Sequence, residues 1–277
     1  MTAHAAVHPH EHAHTDPATA RIVALGPESE QMPDLGIPSA APGRELHDLV
    51  TAELETGALV VVVPMTFGRA PAMIADCSRT LRDVRGRTGG ARVALAAPLG
   101  DATMLVTRLR AAIRRHELGD AAADSVLVVS PAIDPFADAE LFRLARLARQ
   151  YGRPGLVEVA FHGGTEPDPD LAGGLARLDA LGSGRPMVVS ATLAPAPATG
   201  RGLPGEGEYL MGPAVVRSII DTRVREAVHR LDHGAGGPGA AGSTGADGID
   251  AALDAEDGHG YAHSHVAADG SVYTHSH

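Results

Sequence analysis

Short, almost wholly apolar runs alternate along this chain with longer amphipathic stretches. The apolar runs are Arg21–Leu25, Ala58–Pro64, Arg92–Ala97, Ser125–Ser130, Leu156–Phe161 and Pro186–Thr192. Continuous Val, Leu, Ile and Ala of this length is what strands buried on both faces require. Between the runs, a 3.6-residue period marks helices at Arg44–Thr56, Ala70–Arg85, Ala102–Arg115, Ala137–Tyr151, Asp170–Leu181 and Pro213–Leu231. In the helix from Ala137, Leu141, Leu144, Ala145 and Ala148 share one face, and Arg143, Arg146 and Arg149 fall elsewhere. Strands alternating with helices predict parallel sheets joined by right-handed crossovers, an α/β fold.

The periodicity stops at both ends. Residues 1–19 are polar and histidine-rich, and from residue 232 a Gly/Ala/Asp-rich segment buries too little apolar surface to offset its ordering entropy. Both are expected to be disordered tails, leaving residues 20–231 as the folded part. Within it, Pro98-Leu99-Gly100-Asp101-Ala102 and Leu210-Met211-Gly212-Pro213-Ala214 each form a glycine turn that opens a helix. The repetition predicts two similar lobes, residues 20–118 and 122–231, although βα units rich in Ala and Arg also look alike by chance.

Composition narrows the function. The 277 residues carry a net charge of −11, and all 23 basic residues are arginine. An acidic chain of this kind is not expected to bind nucleic acid, which needs clustered positive charge. Without lysine there is no P-loop lysine and no Schiff-base chemistry. Cys77 is the only cysteine, which excludes an internal disulfide framework and cysteine-only metal sites. No stretch approaches the ~18 apolar residues of a membrane span, and the N-terminus lacks the apolar core of a signal peptide. A cytoplasmic protein without membrane contact is the simplest expectation, with self-association into a homodimer left open.

Two stretches resemble a known family. One is Leu156-Val157-Glu158-Val159-Ala160-Phe161 with Glu166-Pro167 and Leu171-Ala172-Gly173-Gly174-Leu175; the other is Val60-Val61-Val62-Val63-Pro64-Met65-Thr66-Phe67 with Ala97-Pro98-Leu99-Gly100. In this order, across residues 58–231, they are similar to the small tetrapyrrole chelatases, sirohydrochlorin cobaltochelatase in particular, and to the ferrochelatases. The resemblance implies two flavodoxin-like lobes with parallel sheets and a cleft between them. It implies a metal-chelatase activity that inserts Co²⁺, or another divalent ion such as Ni²⁺, Zn²⁺ or Fe²⁺, into a sirohydrochlorin-like tetrapyrrole of cobalamin biosynthesis, with no organic cofactor. The runner-up is a non-catalytic metal-binding or metal-delivery protein on the same scaffold. The chain also departs from the family. Pro27 stands where the family has the histidine of a Gly-His-Gly-Ser turn, Ser130 takes that place in the second half, and Thr66-Phe67-Gly68-Arg69 lacks the histidine that follows the other strand.

His162, at the carboxyl end of a predicted strand, is the replacement candidate, because open α/β sheets place ligands there. Glu166, four residues on, is the candidate carboxylate partner. Together they are the expected catalytic pair, with His162 also a metal ligand; the plainer alternative is a strand-end histidine beside a helix-capping glutamate. Thr66, Phe67, Arg69, Ser130 and Arg201 are expected to bind substrate, the arginines by pairing with tetrapyrrole carboxylates. His47, His116, His229 and His233 read as helix-surface residues, and Cys77 reads as a small core residue.

Ten of the 15 histidines lie in the first 14 and last 19 residues. At the C-terminal end His259, His263, His265, His275 and His277 are spaced so that two or more imidazoles close on one ion. Imidazole suits Co, Ni, Cu and Zn, so these are expected metal ligands. A flexible tail that takes up any available divalent ion without purpose has the same sequence.

Overall fold

The computed structural model describes residues 18–89, 92–117, 125–150, 155–164, 167–234, 247–251, 263–266 and 272–275. In the first half, β1 (Thr19–Ala24), β2 (Ser39–Ala40), β3 (Leu59–Pro64) and β4 (Val93–Leu95) form a parallel sheet in the order β2-β1-β3-β4. Helices α1 (Arg44–Glu55), α2 (Pro71–Arg87) and α3 (Ala102–Glu117) follow β2, β3 and β4. In the second half, β5 (Ser125–Pro131), β6 (Leu156–His162) and β7 (Met187–Ser190) form a parallel sheet in the order β6-β5-β7. They alternate with α4 (Pro135–Gln150), α5 (Leu171–Ala180) and α6 (Pro213–Gly234). The expected α/β architecture of parallel sheets is present. Thr19, assigned by composition to the N-terminal tail, is the first residue of β1 and pairs with Leu59.

Both sheets share the order second-first-third strand, the flavodoxin-like arrangement, and they differ at the fourth position. In the first half β4 fills it. In the second, the turn at Pro204–Glu208 lies there instead, with the Val188 amide donating to the Pro204 carbonyl at 2.8 Å. Gly205 makes this approach feasible: at φ +87°, a Cβ on it would sit 2.1 Å from the Val188 carbonyl oxygen.

The period-2 alternation of the apolar strands divides the core. Val61 and Val63 of β3 and Val126 and Val128 of β5 belong to one cluster shared by both halves. Val60 and Val62 face a second cluster under α1 and α2, and Leu127 and Val129 face a third under α5. The last helix of each half is exchanged. Helix α3 packs on α4 and β7, whereas α6 packs on β3 and β4. The two halves are therefore interlocked through one core.

The stretch read as a C-terminal tail contains ordered structure. Helix α6 continues to Gly234, and residues 247–251 dock along β4 and α2. The Leu95 amide donates to the Asp247 carbonyl at 2.8 Å, Ile249 is fully buried, and Ser78 Oγ donates to the Ile249 carbonyl. Arg85 pairs with Asp247 and with Asp250 (3.1 Å), and Arg82 pairs with Asp250 at 2.7 Å. Composition hides this clasp because one isoleucine and two aspartates carry it, and no periodic pattern marks so short a segment. Further on, β8 (His263–Val266) and β9 (Val272–His275) pair antiparallel. Among the described residues no helix is long and apolar enough to cross a membrane.

Candidate functional site

Parallel strands deliver the loops at their carboxyl ends to one edge of the sheet, and open α/β folds bind ligands there. Here the carboxyl-end loops of both sheets meet. The Glu28 carbonyl, after β1, accepts from the Leu193 amide, after β7, at 2.9 Å. The Glu28 side chain turns inward toward β3. Its Oε2 accepts from Thr66 Oγ1 and, at 3.1 Å, from the Phe67 amide. Its Oε1 is buried without a hydrogen-bond partner.

Arg69 crosses from the first half to the second and is only 3% exposed. Its guanidinium donates to Ser130 Oγ at 2.6 Å, to the Ala137 carbonyl at 3.2 Å and to Asp138 Oδ1 at 3.4 Å. Helix α4 supplies the last two partners because Asp134 starts it: Asp134 Oδ1 accepts from the Phe136 and Ala137 amides at 2.8 and 2.9 Å. An aspartate directly before a proline at the first helical position is a strong helix start. It places the beginning of α4 at Pro135, two residues ahead of the periodicity.

The electrostatics follow from burial. Desolvation pushes the Glu28 carboxyl up from its ordinary value; the Arg69 charge and the hydrogen bonds from Thr66, Phe67 and Arg69 oppose this without cancelling it. Desolvation lowers Arg69, opposed by Glu28, Asp138 and Asp134. Asp138 is raised, also chiefly by desolvation, against its hydrogen bond from the Ile133 amide and the charge of Arg69.

Of the expected substrate-binding residues, Thr66, Arg69 and Ser130 come together in this cluster. Phe67 adjoins it through its backbone, while its ring is buried in the shared core against Gly100. Arg201 does not join them. It pairs with Asp179 at 3.0 Å, near the C-terminal end of α5, and so lies toward the amino-terminal end of the sheet. A loop arginine takes the nearest exposed carboxylate, and the fold places Asp179 there.

His162 ends β6 beside Pro131 and is half-buried, and its carbonyl accepts from the Ala132 amide at 3.1 Å. Burial lowers its pKa, so the imidazole is neutral at pH 7. Glu166 lies outside the described residues, as do His259 and His277. His263, His265 and His275 fall in β8 and β9. No group of three or more His, Cys, Asp or Glu side chains among the described residues is arranged to hold a metal ion.

Sequence reasoning missed Glu28, Asp138 and Phe136. Glu28 had a signal, as the first acid after the turn that ends β1, but one carboxylate in a loop says nothing of burial. Phe136 is 83% exposed at the start of α4, one residue from the carbonyl that Arg69 contacts. A cavity of about 660 Å³ lies elsewhere, at the amino end of β1, between Arg21, Asp221, Arg225 and His229. It is lined by a surface ion pair and lacks the convergent strand ends, so the chemistry points to the Glu28–Arg69 cluster.

Comparison of the chain with protein-family models, with curated proteins and with solved structures gives no significant match.

Proposed function

We propose that this protein handles a divalent transition-metal ion, Co²⁺ foremost, for a carboxylate-bearing tetrapyrrole of the sirohydrochlorin type, on a chelatase-like scaffold. One observation carries the reading. Three residues expected to bind substrate, Thr66 at the end of a strand that resembles the chelatases, Arg69 just after it and Ser130 of β5, converge where both sheets end, around a buried carboxyl with an unpartnered oxygen.

The residue chemistry suits insertion. Arg69 offers a fork for a peripheral carboxylate, and the exposed ring of Phe136 offers a face for a planar macrocycle. Metal insertion displaces two pyrrole protons, and Glu28, raised by burial, is a proton acceptor better matched to neutral pH than an ordinary carboxylate. His162, held neutral, is in the form that ligates a metal.

Burial of the same cluster favours a second reading, delivery of the ion without insertion. Glu28, Thr66, Arg69 and Ser130 are all buried, so a macrocycle reaches them only if the two sets of loops part.

Anaerobic mixing of sirohydrochlorin with Co²⁺, with and without the protein, separates the two as the tetrapyrrole absorption bands are followed. Insertion predicts a rate above that in buffer, lost in His162→Ala and weakened in Phe136→Ala through tetrapyrrole affinity. No acceleration, with Co²⁺ passing instead to a chromogenic acceptor, rejects insertion and leaves delivery.

A further inference from the structure

We propose that the outer surface of α3 and α4 is a docking face for a short acidic segment of a partner protein. From Ala102 to His116 and from Leu141 to Gln150 the chain carries seven arginines and no aspartate or glutamate. All 34 acidic residues lie elsewhere, in a chain whose net charge is −11. Tertiary structure brings the two stretches together. The helices pack side by side, and Arg110 of α3 donates to the Leu147 carbonyl of α4 at 2.7 Å. Leu105, Leu109 and Ile113 of α3 and Leu141, Leu144 and Ala148 of α4 turn into the shared core. That leaves Arg114, Arg115, Arg146 and Arg149 exposed on the outside and Arg108 half-buried.

Arg143 is paired with Glu140, but Arg108, Arg114, Arg115, Arg146 and Arg149 have no ion pair with a described side chain. Like charges three and four residues apart destabilise the helix that carries them, and the helix dipole offsets this only in the last turn, at Arg114, Arg115 and Arg149. Nothing within the fold neutralises Arg108 and Arg146; an anion from outside does. Arg108 and Arg115, two turns apart, line a cavity of about 480 Å³ with Tyr209, Met211 and Val215, and its carboxylate, Glu208, is engaged by His116 at 3.0 Å. Phe142, 40% exposed on α4, adds an aromatic contact of the kind that accompanies arginine at protein interfaces. Packed helices lie about 8–10 Å apart and an extended octapeptide reaches about 26 Å, so one segment crosses both. The breadth of the face also selects the partner. A DNA duplex or an anionic bilayer extends past two helices and lies against the acidic remainder of the chain, whereas a short run of carboxylates meets only the arginines, which take carboxylates in bidentate pairs. This face does not depend on the chelatase reading, and its test uses no tetrapyrrole.

The test is titration of the full chain into fluorescein-labelled octaglutamate at low salt and about pH 8, above the ordinary imidazole range, followed by fluorescence anisotropy. A short DNA duplex and phosphatidylserine vesicles are titrated in parallel. The peptide is expected to bind saturably, with an affinity that falls as salt rises. Arg115→Glu with Arg146→Glu should weaken it about tenfold or more, and Arg115→Gln with Arg146→Gln by a smaller factor. Arg44→Glu with Arg79→Glu makes the same change in net charge on exposed positions of α1 and α2, and should weaken binding less than about threefold. Far-ultraviolet circular dichroism shows whether each variant is folded, and the Gln pair carries the test if the Glu pair is not. No binding of the peptide, equal losses in the two Glu pairs, or binding of the duplex or the vesicles through Arg115 and Arg146 in place of the peptide overturns the proposal.

Discussion

Replacing Arg69 by alanine tests the physical description of the interlobe cluster most directly. The change removes hydrogen bonds to Ser130 Oγ (2.6 Å), the Ala137 carbonyl (3.2 Å) and Asp138 (3.4 Å), and it leaves Glu28 buried without its cation. Leaving a buried carboxylate without its nearby compensating charge costs up to roughly 3–5 kcal/mol, the range seen when one partner of a buried pair is removed. Glu28 can escape that penalty by taking up a proton, so the cost depends on pH. Its pKa in the folded protein is raised, so its contribution to stability is complete below the ordinary glutamate value and is lost as pH rises through the raised one. Arg69 is the main charge holding that value down, and its removal pushes the window further up. Arg69→Ala is therefore expected to cost about 2 kcal/mol at pH 5, where the lost hydrogen bonds dominate, and about 3–5 kcal/mol at pH 8. Urea unfolding followed by far-ultraviolet circular dichroism at both pH values measures this. Adding Glu28→Gln to Arg69→Ala should recover stability at pH 8 and little at pH 5. A loss independent of pH, with no coupling between the two substitutions, would refute the argument.

Three further outcomes follow from single contacts. Gly205→Ala should destabilise by about 3 kcal/mol, because its Cβ would meet the Val188 carbonyl, whereas Gly207→Ala, at similar φ but facing open space, should cost about 1–2 kcal/mol; equal losses in thermal melts would contradict this close approach. Ile249→Ala should lower unfolding stability by about 2–4 kcal/mol if the clasp is part of the folded unit, and an unchanged urea midpoint would show that it is not. The Cys77 thiol, buried and pushed up to about 12, should resist a thiol reagent at pH 8 until urea unfolds the chain, and rapid labelling of the native protein would contradict its burial.

The candidate site was partly legible in the sequence. Thr66, Arg69 and Ser130 follow or end apolar strands, and a strand end is a place the sequence marks. Glu28 and Asp138 were not legible as site residues, because their role depends on one guanidinium that reaches Glu28 from a later loop of the same half and Asp138 from the other half of the chain. Arg201 shows the opposite error, since its loop also follows a strand but folds back along β7 to reach Asp179. A sequence pattern records what precedes a residue along the chain, whereas a charge is paired by proximity in space.

Local pattern determined by itself the strands β1 and β3 to β7, the helices α1 to α6 and the parallel α/β class. Each element must bury its apolar face, and the 2.0 and 3.6 periods announce that need before any partner is known. Tertiary structure alone decided which face each element covers: α3 on the second half, α6 on the first, and residues 247–251 on the edge of β4. It also decided that β2 needs only two residues, since Ser39 and Ala40 are held by β1 rather than by their own propensity. Burial is a local demand that a sequence states, and the choice among partners able to satisfy it is settled only when the whole chain packs.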